Sequence, residues 1–201
     1  MCKAQLTLIL ALAAFAGCKA EVKKPAVAAA VPQVRATVIT IETKVQPENK
    51  TFTHAIVIAG DKARSLDELD HWRLFDLKTN TITFVDDIAK SYRIEPFAPG
   101  KRMEEIEATR QTEPLQGVVA TLWTARIGGY GRQLWIGNHP AIPAQLFSMM
   151  TGINAQGFPL ADHAELPYSN KKLVVDKVVT RIESKDVPAS LFEIGRAYTR
   201  R

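Results

Sequence analysis

Residues 71–87 read HWRLFDLKTNTITFVDD, and they decide the fold class. Trp72, Leu74 and Asp76 alternate with Arg73, Phe75 and Leu77, a period of two that belongs to a strand and not to a helix. Lys78, Thr79 and Asn80 interrupt the pattern as a turn, and TITFVDD resumes it with β-branched and aromatic side chains. Two strands joined by so short a connection are antiparallel neighbours.

Outward from this hairpin the same grammar repeats. RATVITIETKV (Arg35 to Val45) and TFTHAIVIA (Thr51 to Ala59) flank the turn residues Pro47, Glu48 and Asn49, with Phe52, His54, Ile56 and Ile58 on one face. VVATLWTARI (Val118 to Ile127) meets RQLWI (Arg132 to Ile136) across a GGYG turn. FPLADHAEL (Phe158 to Leu166) meets KLVVDKVVTRIES (Lys172 to Ser184) across Pro167 to Lys171. Successive short connections predict antiparallel neighbours and exclude a doubly wound α/β fold. Helix signals are two: KRMEEIEATR (Lys101 to Arg110) by composition, and AQLFSMM (Ala144 to Met150) between Pro143 and Gly152. The expected fold is mainly β, of the α+β kind: a strongly curved antiparallel sheet with one or two short helices, in one domain over residues 36–199.

The chain of 201 residues begins MCKAQLTLILALAAFAGCKA. One positive charge at Lys3 and an apolar run from Leu6 to Phe15 suit an export signal and are too short to span a bilayer. Ala16 and Gly17 before Cys18 resemble a bacterial lipobox, which implies removal of residues 1–17 and lipidation of Cys18. An ordinary secretory signal cut near Gly17 or Ala20 is the alternative. Cys2 would leave with the leader, so Cys18 has no internal disulfide partner, and acylation would cap a thiol otherwise exposed to oxidation. Two acyl chains convert marginal membrane binding into stable anchoring. Residues 18–35, rich in Ala, Val, Pro and Lys, read as the lipidated cysteine and a linker whose reach is about 50 Å at roughly 3 Å per residue. Lys19, where related sorting systems read aspartate as retention in the inner membrane, points to the outer membrane, facing the periplasm.

The net charge of +5 is too small and dispersed for a nucleic-acid footprint. No GxSxG or HExxH occurs, and no cysteine pair is available for zinc. The sequence therefore implies no enzyme, cofactor or metal. Asp67, Glu68, Asp70 and His71 could offer oxygen and imidazole to a cation, but contiguous residues point in several directions and read better as a solvated turn. Asp162 and His163 are adjacent on a strand and face opposite sides.

The segment WRLFDLKTNTITFVDDIAKSYRI, carried by Asp76, Asp86, Lys90 and Tyr92, resembles periplasmic lipoprotein carriers of the Lol type and a related, functionally uncharacterised domain family. GRQLWI with Trp135, QGFPLADHAEL with Gly157, Phe158, Pro159 and Leu160, and DVPASLFEIGRAY with Phe192 and Tyr198 resemble the latter family too. The resemblance implies a half-open β-barrel whose concave face holds apolar material, such as a lipid or acyl chain, under a helical lid. Phe52, Ile56, Trp72, Leu74, Phe84 and Trp123 are the candidate lining residues, with ordinary core packing as the competing role of each. The second function class is an interaction module that holds an envelope protein on an exposed sheet edge or face and has no ligand.

Overall fold

The computed structural model describes residues 30–66, 70–97, 106–127, 130–153, 155–168 and 171–201. Cys18, the leader and most of the linker lie outside them. Residues 31–201 form one compact unit. Its strands are β1 (Gln33–Gln46), β2 (Lys50–Ala59), β3 (Lys62–Ser65), β4 (His71–Asp76), β5 (Thr81–Asp86), β6 (Ser91–Pro96), β7 (Ile106–Leu115), β8 (Val118–Ile127), β9 (Tyr130–Gly137), β10 (Phe158–Tyr168), β11 (Lys171–Pro188) and β12 (Thr199–Arg200). Helix α1 is Leu146–Thr151, and a 3₁₀ turn covers Ala189–Phe192. All twelve strands join one open sheet in the order β12-β6-β5-β4-β3-β2-β1-β11-β10-β9-β8-β7. Every pairing is antiparallel except β12 with β6.

Helix α1 touches both β4 and β10. Those strands are five places apart in the sheet, a distance of roughly 24 Å if the sheet were flat. A helix is only about 10–12 Å across. The sheet is therefore curled around α1 and left open, the curved sheet expected from the strand grammar. One apolar cluster records this directly, because Ile39, Ile56 and Phe75 from one half and Leu134, Ile136 and Phe158 from the other pack with Leu146, Phe147 and Met149 of the helix. A six-residue helix has too few hydrogen bonds to persist alone. Those buried side chains hold it, and Gly152, at φ 77°, ends it by donating its N–H to the Ser148 carbonyl.

The motif residues Asp76, Asp86 and Lys90 prove to be turn chemistry. β4, β5 and β6 are each six residues long and start ten residues apart. In the first turn Asp76 Oδ1 accepts the backbone N–H groups of Lys78 (3.1 Å) and Thr79 (2.8 Å), and Asn80 takes φ 54°. In the second, Asp86 Oδ1 accepts from Ala89 (2.8 Å) and Lys90 takes φ 46°. A short acceptor side chain that competes for turn N–H groups is why aspartate recurs at the strand ends.

The outer face of β1–β5 carries a second core of Ala36, Val38, Val57, Trp72, Leu74 and Val85, roofed by Val187 and Phe192 from the C-terminal segment. Arg64 stacks 3.7 Å from the centre of the Trp72 ring and donates to the Leu191 carbonyl at 3.1 Å. Lys62 donates to the Phe192 carbonyl at 3.4 Å. Tyr198 closes the strap by donating its hydroxyl to Asp87.

Two expectations change. Ile106 to Arg110, assigned to a helix by composition, belong to β7, and residues 101–105 lie outside the described residues. Pairing with β8 supplies backbone hydrogen bonds that a marginal isolated helix could not rival. β1 also begins at Gln33, inside the expected linker, because Gln33 to Arg35 pair with Asp186 to Pro188.

Candidate functional site

The inner face is filled by α1 over only part of its length. Beneath Phe147 and Met150 lies an inner chamber of about 200 Å³, walled by Ile41, Ile56, Phe158 and Val179 and reached by His54, Ser65 and Arg73. An outer chamber of about 220 Å³, lined by Tyr130, Ala164, Leu166 and Val175, adjoins it beyond the helix. Arg132, Asp162 and Lys177 line both, so they form a polar waist between the two chambers. A third, more open hollow of about 580 Å³ at the β4–β6 end shares Arg73 with the inner chamber and is lined also by Phe84, Tyr92 and Arg93. Neither chamber alone reaches the roughly 300 Å³ of a small-molecule site, and the two together exceed it.

Sheet register builds the waist. Asp162 lies opposite Lys177 across β10–β11 and opposite Leu134 across β9–β10, which turns all three inward. Arg132 grips Asp162 with two parallel hydrogen bonds, Nε to Oδ1 at 2.7 Å and Nη2 to Oδ2. Burial of that carboxylate strengthens the pair and makes breaking it costly. A register shift between Thr40 and Ile41 inserts Thr180 as an extra residue in β11. This bulge lets both Ile182, opposite Ile39, and Val179, opposite Ile41, face inward although their numbers differ in parity. At the helix, Arg73 donates to the Met150 carbonyl at 3.4 Å and so ties β4 to the end of α1.

The six candidate lining residues do not share a cavity. Ile56 lines the inner chamber. Phe84 lines the open hollow, where Arg93 stacks on its ring at 4.3 Å, and Trp72 reaches the same hollow from the outer core. Leu74 is buried in the outer core. Trp123 packs half-buried against the inner cluster, and Phe52, 53% exposed, sits beyond the chambers on the Ile56 side of β2. Reasoning from apolar residues alone passed over Arg132, Lys177 and Arg73. The usable signal was a lone charge on an apolar stripe: Arg132 in step with Leu134 and Ile136, and Lys177 in step with Val175 and Val179.

His54 is half-buried in the inner chamber wall. His163 lies on the face opposite Asp162 and meets Asp176 at 2.6 Å. Of the proposed cation cluster, Asp67 and Glu68 lie outside the described residues, and His71 meets Asp86 at 3.8 Å. Among the described residues no group of His, Cys, Asp and Glu is arranged to hold a metal.

Comparison with protein-family models finds no match, and neither does comparison with curated protein sequences. Among solved structures the chain is similar to PNGF-II in two crystal forms. One has a TM-score of 0.57 and 14% identity, covering 84% of this chain and 31% of that one. The other has a TM-score of 0.55 and 15% identity, covering 84% and 32%. The chain thus spans about a third of the length of PNGF-II, and the likeness is one of fold. It is also similar to an uncharacterized conserved protein from Thermus thermophilus, with a TM-score of 0.45 and 11% identity over 84% of this chain and 91% of that one.

Proposed function

We propose that this protein is a lipoprotein anchored through Cys18 in the cell envelope, facing the periplasm from the outer membrane, and that it binds an apolar ligand in the trough of its half-barrel without catalysis. The observation that carries the reading is the pair of chambers left on the inner face beside and beneath α1, each with apolar walls around the polar waist. A sheet curled only to bury its own core would close over that space, since interiors are packed with few voids larger than a water molecule. The helix that roofs the inner chamber is one short turn-and-a-half, tied to the sheet by apolar contacts and by Arg73.

Native mass spectrometry of the full chain purified from membranes tests both halves at once. The expected result is a diacylglyceryl adduct at Cys18 and a separate, extractable lipid or acyl compound bound to the folded unit. A protein that emerges lipidated but consistently free of bound lipid would favour the interaction-module reading, in which an exposed sheet edge or face holds an envelope partner.

A further inference from the structure

Given the trough as a ligand site, on which this rests, we infer that its ligand is an uncharged ester, apolar at both ends, whose carbonyl oxygen meets Lys177 where the chain crosses the waist. The chambers measure about 200 and 220 Å³, each below the roughly 300 Å³ of a small-molecule site, so a ligand of that size extends through both. Arg132, Asp162 and Lys177 line both chambers, and such a ligand runs past all three. Val175 and Leu166 on the outer side, and Ile41 and Val179 on the inner, give each of its ends an apolar wall.

The three waist residues differ in what they demand of that ligand. Arg132 and Asp162 bond each other through both carboxylate oxygens. Lys177 stands opposite Asp162 in the register and is half-buried, yet its ammonium has no hydrogen bond or ion pair among the described residues. A chain laid across it displaces water from that ammonium, and a charge desolvated without a partner is costly. A plain hydrocarbon is therefore a poor occupant. A fatty acid fits no better, because its acceptor lies at one end and seating it on Lys177 leaves one chamber unfilled. A carbonyl in mid-chain meets both conditions. Lysine and arginine side chains only donate, so an ester, which only accepts, suits the waist better than a group bringing a donor of its own. The polar groups of the inner chamber make no similar demand, since His54, Ser65 and Arg73 each have an interaction within the protein and Thr151 donates to the Phe147 carbonyl.

The test uses the full chain in nanodiscs of ether-linked phosphatidylcholine, whose chains carry no ester. Octyl octanoate, heptadecane and palmitate, each with a diazirine at a chain end, serve as photoprobes, and the labelled residues are mapped by mass spectrometry. Octyl octanoate is expected to label walls on both sides of the waist at concentrations about ten-fold below those the other two need, the scale of one charge-assisted hydrogen bond. Lys177→Met should weaken ester labelling about ten-fold and strengthen labelling by heptadecane, and Lys177→Arg should keep the wild-type order. Equal labelling of the wild type by ester and hydrocarbon, or a Lys177→Met variant that takes the ester as well as the wild type does, would overturn the ester assignment while leaving the trough as an apolar site. Stronger labelling by palmitate, or ester labelling confined to one chamber, would overturn it in the same way. Absence of chamber labelling by all three probes would overturn the trough as well.

Discussion

Arg132 clamps both oxygens of Asp162, thirty positions along the chain, on the inner face of the sheet. The Asp162 side chain is 6% exposed and the Arg132 side chain 23%. Removing one partner of such a pair strands the other charge in a poorly hydrated place. Asp162→Ala is expected to lower unfolding free energy by roughly 3 kcal/mol in urea titrations. Joint replacement by Arg132→Met and Asp162→Leu should recover most of that loss. A single variant that melts like the wild type would mean that water reaches the waist freely.

Leu74 and Phe52 both look like apolar strand residues, and their positions demand opposite outcomes. Leu74→Glu puts a carboxylate into the outer core against Trp72 and Val85, a cost of several kcal/mol that rivals the whole stability of a domain. It should yield an unfolded chain by circular dichroism. Phe52→Glu, at a side chain 53% exposed, should shift stability by less than about 0.5 kcal/mol.

Three carboxyls at the β4–β6 end make the fold acid-sensitive, two through their own turns and Asp87 through the strap. The Thr79 backbone N–H holds Asp76 below its ordinary range, the Ala89 N–H does so for Asp86, and the Tyr198 hydroxyl does so for Asp87. A carboxyl with a depressed folded value stabilises the fold above its unfolded value, about 3.9, and that contribution is lost as pH falls through the folded value. The melting temperature should thus be insensitive to these groups above about pH 5 and fall as the solution is taken below about pH 4. Tyr198→Phe should lower the plateau and flatten the acid limb, because it removes the leading cause of the Asp87 shift. An unchanged acid limb would remove Tyr198 from the account.

Attachment and sorting are separable. Cys18→Ala is expected to release the protein from membranes that survive salt and carbonate washing, with the unit from Val31 onward still folded by circular dichroism. Continued co-sedimentation would disprove lipid anchoring. Lys19→Asp should move the protein toward the inner membrane in a sucrose gradient of a diderm host, and an unchanged profile would refute the sorting assignment.

Local sequence proved a good guide wherever a strand announces itself by alternation over six or more residues. β1, β2, β4, β5, β8, β9, β10 and β11 all occupy the expected stretches, and α1 lies where Pro143 and Gly152 bracket it. β3 and β12 are too short for a period to register, and β7 carries helix-favouring Glu and Arg because it forms an edge, where charge discourages pairing with other chains. β6 was legible in retrospect, as the third unit of a ten-residue repeat already visible in Asp76 and Asp86.

What the sequence determined by itself is the strand class, the order of the hairpins and the turn chemistry, all of which depend on residues within about ten positions of one another. What only the tertiary structure decided is which strand faces share a room. β4 is apolar on both sides, so alternation could not say that Trp72 and Leu74 belong to the outer core under the C-terminal strap while Phe75 joins the inner one. The trough depends on the curl that brings β4 and β10 to the same helix, and its waist depends on three strands whose registers align Arg132, Asp162 and Lys177. Those are contacts between residues far apart along the chain, chosen by the burial of the whole sheet, and no local period encodes them.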